Sequence, residues 1–161
     1  MMTALAAAAR AGVPVSRDTI GQGRRYLLSL QNADGGFRYQ STDGPSAAPR
    51  TAAVLVALAL TKTNDSDDVP LDRGYAWLEA NAVPFTPRDS YTLYGMSAAT
   101  SAWWQRGGEA WRAWYGSAAA NLLATQSAEG AWKDASCDEY GTAAALSTLL
   151  APDGLLPVLQ P

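Results

Sequence analysis

The densest group of reactive side chains in this chain is Cys137-Asp138-Glu139-Tyr140, immediately ahead of Gly141-Thr142-Ala143. Adjacent carboxylates can divide acid and base roles when one is desolvated, and a neighbouring thiol can act as a nucleophile or metal ligand. Position decides between these chemistries. An apolar run follows at 140–150, so Asp138 and Glu139 fall at a helix N-terminus, where the dipole favours them as anions. Capping is the leading reading of the two acids, and facing a cavity is the second. Cys137 is the only cysteine, which excludes an internal disulfide and any multi-cysteine metal cluster; a small buried thiol is expected. A second acidic string, Asp65-Ser66-Asp67-Asp68, stands between Thr63-Asn64 and Val69-Pro70 and reads as a charged surface loop. Histidine is absent, which removes Ser-His-Asp triads, Cys-His dyads, His-ligated zinc and imidazole bases. Aromatics gather at Tyr91, Tyr94, Trp103 and Trp104, then at Trp111, Trp114 and Tyr115. Core packing accounts for most such clusters, a cation-stabilising pocket for fewer, and Tyr91 and Tyr94 are the ones expected to face a cavity.

Seven helical segments are needed to hold these groups, at about 2–11, 16–33, 48–61, 69–82, 90–105, 109–126 and 140–150. Ser16 is a cap for the second segment, Asp34-Gly35-Gly36 breaks it, and Gly12 with Pro14 stops the first. Ile20, Tyr26, Leu27 and Leu30 form one stripe of the second segment. Arg17, Asp18, Gln22, Arg24 and Arg25 lie elsewhere, the pattern of a half-solvated outer helix. Residues 51–60, Thr-Ala-Ala-Val-Leu-Val-Ala-Leu-Ala-Leu, carry no charge and suit a helix covered on every side.

A pattern recurs through these segments. Gln31-Asn32-Ala33-Asp34-Gly35-Gly36-Phe37 returns as Gln126-Ser127-Ala128-Glu129-Gly130-Ala131-Trp132. Each copy follows a Leu pair and precedes a Thr-Ala-Ala that opens an apolar helix, at Thr51 and at Thr142. Between them, Arg73-Gly74-Tyr75-Ala76-Trp77-Leu78 lines up with Gln22 to Leu27, followed by Val83-Pro84-Phe85-Thr86-Pro87 in place of the Gln-Asp-Gly turn. Outer and inner helices thus alternate with a period near 50 residues, and stacked pairs of this kind bury their inner faces only against neighbours.

At these residues the chain resembles the terpene cyclase and protein prenyltransferase superfamily, in detail the C-terminal portion of squalene-hopene-cyclase-like repeat proteins of planctomycete type. Gln31, Asp34, Gly35, Gly36 and Phe37, then Gln126, Glu129, Gly130 and Trp132, match the family's QW motif, with Phe for Trp in the first copy. The resemblance implies an all-α fold, an α/α toroid, in which residues 1–161 form one partial domain of about three and a half helix pairs, a fragment of a longer chain. In physical terms the Gln amide bonds backbone groups left unpaired at helix ends, and two Gly permit the turn back toward the ring. These motif residues are expected to be structural.

The family's cyclases protonate an alkene with a DxDD acid just before a Thr-Ala helix. Here Ala47, Pro49 and Arg50 stand at those positions, and the literal Asp65–Asp68 string lies elsewhere. Prenyltransferase zinc needs Asp, Cys and His, of which the last is missing, and the Gly-Cys-Gly-Glu-Gln thioester string of related toroids is absent. The expectation is a repeat domain without a recognisable catalytic acid, using no cofactor and no metal, that binds a hydrophobic or isoprenoid ligand or a protein partner. That partner could be the missing part of the toroid or another chain. Alternatives are a terpene cyclase or mutase whose catalytic half is missing, and an α/α carbohydrate-active enzyme using Asp138 or Glu139. Tyr94, Cys137, Asp138, Glu139, Tyr140 and Tyr91 are the cavity-facing candidates. The net charge of -3 without a basic stripe excludes nucleic acid as an expected partner. No apolar stretch approaches the roughly 18 residues of a membrane span. Composition does not identify a compartment.

Overall fold

The computed structural model describes residues 1–62, 68–81 and 92–154. Among these the chain is all-helical: α1 (Met2–Arg10), α2 (Arg17–Ser29), α3 (Ala48–Leu60), α4 (Asp68–Ala80), α5 (Thr92–Arg106), α6 (Gly108–Thr125) and α7 (Asp138–Leu149), then a 3-10 turn at Ala151–Asp153. The ends differ from the sequence expectation by one to a few residues, because caps decide them. Ser16 accepts a hydrogen bond from the Thr19 amide at 3.4 Å and starts α2, as its hydroxyl suits. The Asp65–Asp67 part of the acidic string, Tyr91 and the 83–87 segment lie outside the described residues; Asp68 opens α4. No helix among the described residues is long and apolar enough to cross a membrane. The chain divides into two compact units, Met1–Ala82 and Val83–Pro161.

In the first unit α3 is the centre. Its charge-free run leaves no residue exposed, and Thr51, Ala52, Leu55, Val56, Ala57 and Leu58 are buried. α1, α2 and α4 pack around it. From α4, Leu71, Tyr75 and Leu78 recur at helical spacing on the buried face, each full side chain contributing roughly 1.5–3 kcal/mol. Gly74 belongs to the same contact: a Cβ there would stand 2.7 Å from Leu55 Cδ2.

Two residues of α2 reverse the expected faces. Arg24 is buried, its Nη1 donating to the Leu58 carbonyl at 2.7 Å and to Thr61 Oγ1 at 2.9 Å. It thereby satisfies a carbonyl and places a cation at the C-terminus of α3, a favourable end for positive charge. Tyr26, expected on the apolar stripe, is 52% exposed. The arginine stem covers apolar surface while its head bonds the helix end, and the phenol stays outside.

In the second unit α5 packs against both α6 and α7. Leu93, Met96, Leu122, Trp132, Ala144 and Ala145 make the core, with Trp114 and Leu149 against it. Buried Thr100 and Thr148 are satisfied inside it. Thr100 donates to Met96 O at 2.9 Å, Thr148 donates to Ala144 O at 3.2 Å, and Trp114 Nε1 donates to Thr100 Oγ1 at 3.2 Å. α7 is not covered all round, since Leu146 on it and the capping Leu150 remain exposed.

Candidate functional site

The polar chemistry of both units concentrates in the segments between an amphipathic helix and the Thr-Ala-Ala helix that follows. In the first, after α2, the amide of Asn32 donates to Gly36 O at 2.8 Å and that of Gly35 to Asn32 O at 3.0 Å. Gln31 Nε2 closes the turn by donating to Gly35 O at 3.0 Å. Phe37, fully buried, donates its amide to Thr51 Oγ1 at 3.0 Å, tying the turn to the start of α3. The second, after α6, is built from the same bonds. Ser127 donates to Ala131 O at 2.9 Å, Gly130 to Ser127 O at 2.9 Å, Gln126 Nε2 to Gly130 O at 2.8 Å, and the Trp132 amide to Thr142 Oγ1 at 3.2 Å. Gly35 (φ +97°) and Gly130 (φ +85°) sit at matching positions in the left-handed half of backbone space, which side chains disfavour.

The two turns differ in what rests on them. α4 lies on the first: Gln31 Nε2 also donates to Pro70 O at 2.8 Å, and Arg73 Nη2 donates to the Asn32 and Ala33 carbonyls at 3.2 and 2.9 Å. Trp77 Nε1 donates to Asp34 Oδ2 at 3.0 Å, while Asp34 Oδ1 accepts from the Gly36 amide and from Ser46. The Arg73 carbonyl comes so near that a Cβ on Gly35 would stand 2.7 Å from it. At the second turn Gln126, Glu129 and Gly130 are exposed, and a Cβ on Gly130 would meet nothing nearer than Gln126 Nε2 at 3.9 Å. Sequence reasoning placed the turns but assigned nothing to Arg73 and Trp77. The signal was their register with Gln22 and Tyr26 of the other amphipathic helix.

The acidic cluster at α7 is a surface feature. Cys137 is the N-cap and is exposed, which corrects the expected buried thiol: its Sγ accepts from the Tyr140 amide at 3.4 Å, a capping task that needs the helix end and not the core. Asp138 and Glu139 occupy the first turn and are exposed. Glu139's own backbone amide, and then the Cys137 thiol, hold its carboxyl below the usual range. Burial pushes the Tyr140 phenol up, with the negative charge of Asp134 and the nearby Tyr94 adding to it. The structure thus brings Tyr94 and Tyr140 into one neighbourhood, both partly exposed. An ionised carboxylate at a helix end accepts hydrogen bonds; it does not protonate an alkene.

The tryptophans pack on one another. Trp104 meets Trp111 edge-on with centroids 4.9 Å apart, Trp111 and Tyr115 lie 5.0 Å apart, and Trp103 with Trp114 6.4 Å apart. Tyr115 also donates its hydroxyl to Leu149 O at 2.8 Å. In the first unit an open groove of about 850 Å³ is floored by Ala9, Val15, Ile20 and Leu28, with Arg17 and Arg25 on its lining. Among the described residues no three of His, Cys, Asp and Glu stand together as metal ligands. No protein-family model, no curated protein and no solved structure matches this chain.

Proposed function

We propose that this chain is a segment of an α/α toroid of the terpene cyclase and prenyltransferase kind that works by holding a partner and not by acid catalysis. The observation that carries the reading is the pair of Gln turns, alike in their internal hydrogen bonds, of which the first grips a helix and the second stands exposed. A turn that bonds itself internally and still offers carbonyls and a carboxylate outward is a helix-binding device. The packing of α1 on α3 and of α5 on α7, each across an intervening amphipathic helix, is the neighbour relation that inner helices have in a toroid. The carboxylates in the first turn of α7 are solvated and Glu139 is favoured as an anion, opposite to what an alkene-protonating acid requires.

A hydrophobic ligand is the second reading, favoured by the apolar floor of the groove between α1 and α2. The test incubates the purified chain with squalene and, separately, with prenyl diphosphates, analysing the lipid extract by mass spectrometry. Recovery of unchanged substrate is expected. A cyclised or rearranged product overturns the binding reading in favour of a terpene cyclase or mutase.

A further inference from the structure

The grip of the first turn on α4 is a template, and both halves of that template recur uncovered in this chain. The receiving half is the second turn, where Gln126, Ser127, Ala128 and Glu129 stand for Gln31, Asn32, Ala33 and Asp34. The presenting half is α2, where Thr19, Gln22 and Tyr26 stand for Pro70, Arg73 and Trp77. Thr19, Tyr26 and Gln126 are exposed, whereas their counterparts Pro70, Trp77 and Gln31 are half-buried; Gln22 and Glu129 are exposed, as Arg73 and Asp34 are.

The bond chemistry of the template is preserved by these replacements. Arg73 and Trp77 are both donors, and so are the Tyr26 hydroxyl and the Gln22 amide, which donates one hydrogen to Asp18 Oδ2 at 2.6 Å and keeps the other. Asp34 is a carboxylate acceptor, and so is Glu129. Gln126 Nε2 spends one hydrogen on Gly130 O, as Gln31 does on Gly35 O, and has a second for a helix carbonyl. Size is matched as well: the indole of Trp77 lies over Gly36, where a Cβ would be 2.7 Å from Trp77 Cδ2. The second turn has Ala131 at that place and α2 has the smaller ring of Tyr26. Met2 overlies Gly23, the counterpart of Gly74, so the contact rests on Thr19, Gln22 and Tyr26 and not on the glycine notch.

We infer that the Gln126–Trp132 turn of one copy of this chain receives α2 of a second copy, with Gln126 donating to the Thr19 carbonyl, Gln22 giving to the Ala128 carbonyl the one amide hydrogen that its bond to Asp18 Oδ2 leaves, and Tyr26 donating to Glu129. The inference rests on the binding reading above and names its partner. Because one copy presents a helix and the other a turn, the interface is head-to-tail. Ionised Glu129, held below the usual carboxylate range by its own backbone amide, the Ser127 hydroxyl and Lys133, is a ready acceptor for the phenol.

Complementation separates this contact from any symmetric one. Sedimentation velocity of the 161-residue chain over a wide concentration range is expected to show association. Tyr26→Asp breaks only the presenting face and Glu129→Lys only the receiving face, and each variant alone is expected to associate at least roughly tenfold more weakly, since interface energy concentrates in few residues. Mixed, the two variants are expected to form a one-to-one heterodimer, through the intact turn of the first and the intact α2 of the second. Both side chains are exposed, and unchanged circular dichroism and urea midpoints in dilute solution are the check that both variants fold. A wild-type chain that sediments as a monomer throughout, an association untouched by both substitutions, or a mixture that behaves as its separate components overturns the inference. None of these outcomes bears on the squalene assay, so the two failures are distinguishable.

Discussion

Gly35→Ala and Gly130→Ala put the same methyl at the same position of two turns that share their internal hydrogen bonds, so the difference in their effects measures what α4 adds. Both substitutions force a side chain into positive φ, at +97° and +85°, which costs about 1–2 kcal/mol. At Gly130 little else changes, because nothing lies within 3.9 Å of the new carbon. At Gly35 the methyl lands 2.7 Å from the Arg73 carbonyl oxygen, which is backbone and cannot swing aside. α4 must withdraw, lengthening the bonds from Arg73 to Asn32 and Ala33 and from Gln31 to Pro70. Losing the charge-assisted member of that set costs about 1.5–3 kcal/mol on its own. The expected totals are therefore about 2.5–5 kcal/mol for Gly35→Ala and about 1–2 kcal/mol for Gly130→Ala. Urea titrations in dilute solution measure both, with Trp77 as the reporter of the first unit and the five other tryptophans of the second. Equal costs, or a larger cost at Gly130, would refute the claim that the grip on α4 distinguishes the turns.

Arg24→Met keeps the stem and removes the head, leaving the Leu58 carbonyl and Thr61 hydroxyl without their cationic donor; a loss of about 2–4 kcal/mol is expected in the same titration, and an effect below about 1 kcal/mol would show that the buried guanidinium is merely accommodated. Glu139 has a depressed folded pKa, so its contribution is present above the pKa of the unfolded chain and is lost as pH falls through the folded value; Glu139→Gln is expected to flatten the acid limb of the stability profile, and an unchanged limb would contradict this hydrogen bonding. Tyr140 runs the other way, its raised pKa giving a contribution present below the pKa of the unfolded chain and lost as pH rises through the folded value. Ultraviolet titration should show a late-ionising step that Tyr140→Phe removes.

Helix positions were legible in this sequence because their punctuation is chemical. Ser16 caps α2 with its own hydroxyl, and the charge-free run from Thr51 to Leu60 has no face that water could accept. The turns were legible for the same reason, since Gln followed four residues later by Gly is a self-contained bonding pattern. The burial of Arg24 was not. Periodicity sorts residues by type, and an arginine whose stem lies on the core while its head bonds a helix end 34 residues away scores as solvent-facing. Cys137 misled in the opposite direction, because small thiols are usually interior, yet the N-cap of α7 requires an acceptor at the surface. The cross-element grip was hidden because it joins residues 39 to 43 positions apart, and no local pattern reports which carbonyl a Gln amide will reach.

Three described carboxylates, Asp34, Glu129 and Glu139, are placed as hydrogen-bond acceptors. Asp34 accepts from a backbone amide, a serine and an indole; Glu129 and Glu139 accept from their own amides and a neighbouring hydroxyl or thiol. At Glu129 and Glu139 these donors hold the carboxyl below its usual range and so away from proton donation. A strong Brønsted acid needs the reverse, a carboxyl in a dry pocket with few donors. The same donors make an anion a good clasp, because a charged acceptor roughly doubles the strength of the hydrogen bond it receives. At Asp34 the clasp is visible: its second oxygen accepts from the indole of a tryptophan on another helix and so joins two elements of the first unit.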